Sequence, residues 1–159
     1  MQNDASEQFK LNIGHIVEID SLPQSKVVGI DHYQMQAIDG QNHEWTSYTL
    51  VTGDAKNRWW ITVSSELGLY AWQGISTIAE YEAAISGAGQ LQKVTPMSGL
   101  ARLKTEGDTA QTSNVCYLDV VRTPTGGLLS AEKFDGDKPF LFRAEPIKRD
   151  AIKVTHLQP

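Results

Sequence analysis

All four tryptophans of this chain fall between positions 45 and 72, in three short runs divided by turn residues. The first run is Trp45-Thr46-Ser47-Tyr48-Thr49-Leu50-Val51. The turn Thr52-Gly53-Asp54-Ala55-Lys56-Asn57 leads to Arg58-Trp59-Trp60-Ile61-Thr62-Val63, and Leu67-Gly68-Leu69-Tyr70-Ala71-Trp72 follows. Polarity alternates or nearly alternates along each run, and β-branched and aromatic side chains dominate. Such segments fit a pleated, half-buried surface. The block therefore predicts twisted antiparallel sheet around an aromatic core. It carries no nucleophile, metal set or phosphate loop, so it constrains fold far more than chemistry.

Leu11 to Asp20 reads as a first strand, with Val17 and Ile19 on one face, and Leu22-Pro23-Gln24-Ser25 breaks it. Lys26 to Ile38 reads as a longer strand. Val28 and Ile30 share one parity while Tyr33, Met35 and Ala37 share the other, which predicts a bulge near Asp31-His32. Asp39-Gly40 is a two-residue hairpin signal, because a type I′ turn needs positive φ at both positions. Ser76 to Ile85 is the one good helix. Thr77 and Glu80 form a capping box, Ile78, Tyr81 and Ile85 share a side, and Gly87 and Gly89 end it. Strand signals return at Leu91–Val94, Leu100–Lys104, Val115–Val121, Leu128–Phe134, Pro139–Ala144 and Ala151–Val154. Pro124-Thr125-Gly126-Gly127 closes a hairpin between the third and fourth of these.

The halves resemble each other. Gly14-His15-Ile16-Val17 opens one and Gly99-Leu100-Ala101-Arg102 the other. Gly53-Asp54 precedes Arg58-Trp59-Trp60-Ile61, as Gly136-Asp137 precedes Pro139-Phe140-Leu141-Phe142. Two copies of a small β-meander, at 11–73 and 99–155, would explain this; independent reuse of Gly-Asp turns is the alternative. The expected organisation is a polar tail over 1–10 and one domain over 11–159.

At 159 residues a single domain buries about two-thirds of its unfolded surface. The net charge of −5 argues against a strong nucleic-acid binder, which needs a basic stripe, and against electrostatic docking on anionic lipid. Cys116 is the only cysteine, so no intrachain disulfide marks an oxidising compartment. The polar start lacks an apolar signal core, and no run is long enough to span a bilayer. The cytoplasm is the simplest expected location, with no membrane insertion.

The chemistry-bearing residues are scattered. His15, His32, His43 and His156 show no zinc spacing, although His32 and His43 flank the expected hairpin and could approach across it. Cys116 sits in the apolar run Val115-Cys116-Tyr117-Leu118, which reads as a buried strand cysteine. Glu18, Asp20, Asp31, Asp119, Glu132 and Asp135 lie on or beside strands. Two of them could share a cleft, as paired-carboxylate hydrolysis needs, but no spacing selects a pair. Asp135-Gly136-Asp137 and Gly53-Asp54 read as turns, since no alternating calcium loop follows. Gly87-Ala88-Gly89 lacks the context of a phosphate loop. No catalytic residue, metal or cofactor is expected.

Adjacent Trp59 and Trp60 must face opposite sides of their strand. One enters the core; the other meets a second layer, a groove or solvent, unless both faces are covered, for instance by the helix at Ser76. An exposed Trp beside Tyr48 or Tyr70 could cage a polyamine or another cation, or anchor a protein interface. The candidate binding residues are therefore Trp45, Tyr48, Trp59, Trp60, Tyr70 and Trp72.

Trp45-Thr46-Ser47-Tyr48-Thr49-Leu50, with Arg58-Trp59-Trp60-Ile61-Thr62-Val63, resembles the bacterial domain-of-unknown-function family numbered 4178. Gly107-Asp108, Tyr117-Leu118-Asp119 and Leu128-Leu129-Ser130-Ala131-Glu132 are similar to its later blocks. The chain departs at Ser47, where the family often has Glu, and near Ala144, where it often has Gly. The resemblance implies a mostly β domain with no established activity, encoded beside polyamine-synthesis and phage-shock-type membrane-stress genes.

The expectation is thus an all-β, or nearly all-β, small barrel or sandwich, built from two related antiparallel meanders with one short helix between them. The leading functional expectation is a non-catalytic module that binds a protein partner through an aromatic strand face. A polyamine or other cation binder is the first alternative, and an enzyme with a carboxylate or histidine site the second.

Overall fold

A computed structural model of the chain describes residues 9–19, 22–37, 40–53, 57–108, 115–133 and 139–155. Its strands are β1 (Ile16–Ile19), β2 (Leu22–Ala37), β3 (Asn42–Thr52), β4 (Arg58–Ser64), β5 (Gly68–Ile75), β6 (Gln92–Lys93), β7 (Gly99–Gly107), β8 (Val115–Arg122), β9 (Leu128–Lys133), β10 (Phe140–Pro146) and β11 (Ile152–Thr155). One α-helix, α1 (Ile78–Gly87), separates β5 from β6.

β2 decides the architecture. It is long enough to pair with β3 along one side and with β7 along the other. β2 to β5 form one antiparallel meander and β7 to β10 a second. The two join at β5–β10 and at β2–β7, so eight strands close into a barrel and the ring leaves no free edge. Outside the ring, β1 lies between β2 and β11, and β6 adds to the end of β8. Paired residues followed from Asp31 pass through Ser47, Thr62 and Tyr70 and arrive at Pro146, the far end of β10. That stagger tilts the strands and widens the interior, and an eight-stranded barrel can either fill such a space or hold one small ligand in it. The meanders correspond as β2 with β7, β3 with β8, β4 with β9 and β5 with β10. The repeated Gly-Asp spacing instead sets β4 against β10; Asp54, Gly136 and Asp137 themselves lie outside the described residues.

There are two cores. Tyr33, Met35, Trp45, Trp72, Leu118 and Val120 belong to the barrel interior. Val27, Ile30, Tyr48, Leu50, Trp59 and Ile61 belong to a second core outside the first meander, covered by Leu11, Val17 and Ile152. Both faces of the tryptophan-bearing sheet are therefore buried, and the outer cover is β1, β11 and the preceding segment instead of the helix. α1 touches β5 and β10 and has no fully buried residue. Its start is as expected: the Thr77 hydroxyl accepts the Glu80 backbone N–H at 3.1 Å.

Several local expectations are corrected. Phe9 is buried, with its ring edge-on to Tyr48 at 6.3 Å and the Arg149 guanidinium 4.8 Å from its centroid. The packed chain therefore reaches into the segment read as a tail, of which residues 1–8 lie outside the described residues. Of the first expected strand, Ile16–Ile19 forms β1; Gly14, at φ +100°, turns the chain just before it, and Gly14 and His15 bond to the Val27 backbone. Leu22-Pro23-Gln24-Ser25 does not break a strand; it begins β2, held by Ile19 opposite Leu22 and by Ser25 opposite both Val17 and Thr52. Pro23 is tolerated because it sits where the β1–β2 register shifts. The bulge lies at Val28, between Val27 and Gly29, and not at Asp31-His32. β2 and β3 pair as the expected hairpin, and Gly40 takes φ +82°; Asp39 of the expected two-residue turn lies outside the described residues.

One end of the barrel is plugged. Val94, which caps a short 3-10 helix (Thr95–Met97), and Met97, its last residue, enter the inner core. Ser98 fastens the plug by donating to the Val94 carbonyl at 2.8 Å and accepting the Val120 N–H at 3.1 Å. The other end is where β9 finishes at Lys133 and β10 starts at Phe140.

Candidate functional site

Alternate side chains of each barrel strand point inward, and not all of them here are apolar. β9 sends in Leu128, Ser130 and Glu132; β2 sends in Asp31, Tyr33 and Met35; β3 sends in Trp45 and Ser47; β4 sends in Trp60 and Thr62. Between them lies a cavity of about 50 Å³, room for a few waters or one small polar group. Five aromatic side chains contribute to its walls: Tyr33, Trp45, Trp60, Trp72 and Phe142. Tyr33 stacks on Trp45 at 4.7 Å and 10°, and Trp60 meets Phe142 edge to face at 5.2 Å. These contacts fix the rings in place. The Trp72 N–H donates to Thr62 Oγ1 at 2.7 Å, so that indole is satisfied internally.

Ser130 and Glu132 are the polar exceptions on the far wall. Ser130 is 1% exposed, and its hydroxyl has no hydrogen-bond partner among the described residues. Glu132 is partly buried, and its carboxyl is pushed up to about 8, first by removal from water and second by the charge of Asp31. Asp31 is completely buried. Burial, with Glu132, Asp31 and Cys116 adding to it, raises the Tyr33 phenol well above its usual range. Burial and then the same two carboxylates raise the Cys116 thiol. The interior thus places two carboxyl groups, Asp31 and Glu132, among apolar and aromatic side chains. That setting disfavours a thiolate or phenolate.

The sequence candidates divide by strand parity. Trp45, Trp60 and Trp72 line the cavity. Tyr70 belongs to the inner core without reaching the cavity wall. Tyr48 and Trp59 are not part of the site: both point out of the barrel into the second core, and the Trp59 N–H donates to Ser25 Oγ at 2.6 Å. Of the carboxylates, Asp31 and Glu132 turn inward. Glu18 accepts from Gln24 at the surface, Asp119 pairs with Lys93 at 3.1 Å, and Asp20 and Asp135 lie outside the described residues. His32 and His43 do not meet: His32 is near Thr46 and Glu106, whereas His43 contacts Glu66 at 2.5 Å. His15 Nδ1 accepts the Asn12 N–H, and His156 lies outside the described residues. Among the described residues no group of three or more His, Cys, Asp or Glu is placed to hold a metal ion, and no helix is long and apolar enough to cross a membrane.

Sequence reasoning missed Ser130, Thr62 and Phe142. The parity of Leu128, Ser130 and Glu132 was the available signal, since it places two polar side chains on the face that also carries a core leucine. Comparison with family models, with curated proteins and with solved structures returns no match.

Proposed function

We propose that the barrel interior binds a small ligand bearing a positively charged amino group, with an aliphatic amine such as a polyamine as the candidate. The observation that carries this reading is Glu132, a carboxyl near Asp31 on the wall of a cavity that five aromatic side chains also line. Ionising a carboxyl in such surroundings is costly, and no cation is placed beside Glu132 among the described residues; an entering ammonium supplies one. The faces of Trp45, Trp60 and Trp72 add cation–π attraction. The cavity size admits an amino terminus and a short alkyl stem. Half-exposed Phe140, the cross-strand partner of Glu132, offers apolar surface at the mouth for the remainder. A raised buried carboxyl is also what an acid–base enzyme uses. Here the one thiol is held protonated, and among the described residues the Ser130 hydroxyl on the cavity wall makes no hydrogen bond to a base, so binding is the better reading.

Titration with spermidine, followed by tryptophan fluorescence, tests it. Saturable quenching or enhancement that Glu132→Gln weakens tenfold or more is expected. An unchanged spectrum at millimolar spermidine would sink the reading.

A second reading, a protein-binding face, is favoured by a separate feature. Leu100 and Tyr117 are cross-strand neighbours on the outer face of β7–β8, each about half exposed, and Val115 lies beside them. If this face docks a partner, Tyr117→Glu abolishes co-purification of that partner and leaves amine binding intact.

A further inference from the structure

Resting on the amine-binding reading, we infer that Ser130 and Glu132 select an ammonium that still carries N–H groups, a primary amine, against its quaternary N-methylated counterpart. The two residues stand two apart on β9, so their side chains leave the same face about 6.6 Å apart along the strand. Their cross-strand neighbours are apolar throughout: Val120 and Phe142 flank Ser130, and Leu118 and Phe140 flank Glu132. None of those four side chains can hydrogen-bond either of them. The Ser130 hydroxyl is buried, lines the cavity and has no partner among the described residues. A buried polar group left in that condition is destabilising, and a ligand that donates to it would relieve that cost.

The chemistry of the missing partner follows from the two acceptors. An ionised carboxylate only accepts, and the hydroxyl oxygen can accept alongside it. A primary ammonium brings three N–H donors on one nitrogen, enough to serve both while its alkyl stem lies against the rings. A quaternary ammonium satisfies the aromatic faces but donates nothing. It would leave Ser130 and Glu132 unpaired beneath it. Sites built to hydrogen-bond an N–H discriminate strongly against analogues that lack it.

The test is calorimetric titration of the full chain with butylammonium and its N-methyl, N,N-dimethyl and N,N,N-trimethyl derivatives. We expect affinity to fall with each methyl group, by tenfold or more across the series. Ser130→Ala should lower the affinity for butylammonium severalfold and leave that for the trimethyl compound unchanged, narrowing the ratio. Equal affinities across the series would overturn the selection while leaving a cation site standing. A ratio that Ser130→Ala does not alter would also overturn it, because exclusion by size alone would then explain the series. Absence of binding by every member would overturn the cation site and the selection with it. The wild-type series stands independently of the variant, whose fold is checked by its thermal transition.

Discussion

A single proton on Glu132 links the site to stability. Its carboxyl titrates at about 8 in the folded chain, against an ordinary value of 4.5. A raised folded-state value means that the unfolded chain releases its proton first as pH rises. The stability this group contributes is complete below about pH 4.5 and is lost progressively up to about pH 8. Urea denaturation between pH 5 and 8 should show that loss, on the order of a few kcal/mol, and Glu132→Gln should flatten it. The charged and titratable neighbours Asp31, Tyr33 and Cys116 stay in place in that variant. Ligand binding carries the opposite sign. An ammonium pairs with the ionised carboxylate, so affinity should rise about tenfold per pH unit up to about pH 8 and then level off. The adjacent tryptophans give a paired prediction. Trp60→Ala should weaken amine binding by roughly 0.5–2 kcal/mol through the lost cation–π face. Trp59→Ala should leave the site chemistry untouched and cost about 3–5 kcal/mol of stability, because it empties the outer core.

β2 is the element on which both cores depend, and it is where sequence reasoning and structure diverge most. The bulge at Val28 faces the end of β7, where Gly107 takes φ +72°. A Cβ there would stand 2.4 Å from the Val28 carbonyl oxygen and 2.7 Å from Ile13 Cδ1. Gly107→Ala should therefore destabilise the fold by about 2 kcal/mol or more, measured as a lower urea midpoint. The conflict is with backbone at the seam that closes the barrel. Legibility along β2 was uneven for a physical reason. Alternation from Tyr33 to Met35 revealed an inward face, because one side of that stretch meets solvent. Leu22-Pro23-Gln24-Ser25 looked like a break, because local propensity cannot register pairing to Val17 and Thr52. Trp59 and Trp60 were legible as facing opposite ways from period alone. Which one faced a cavity depended on β1 and β11 covering the outside, and those are contacts between the two ends of the chain.

At the scale of the molecule, the aromatic block implied an all-β fold, and the structure realises it as a closed eight-stranded barrel of two meanders. The candidate site was only half legible. Its tryptophans were conspicuous, but Asp31 and Glu132 stand on different meanders and turn into one interior only because β2 pairs with β7 and the ring closes. No spacing in the sequence encodes that placement. Occupancy should stabilise the whole barrel: an amine at one hundred times its Kd adds about 2.7 kcal/mol and raises Tm by roughly 5–10 °C. The most direct test of the account is calorimetric titration of the full chain with butylammonium at pH 7, repeated in two buffers of different ionisation enthalpy. The account predicts one site with close to one proton released per amine bound, and no release in Glu132→Gln. Binding without proton release, or the same release in wild type and variant, would contradict it.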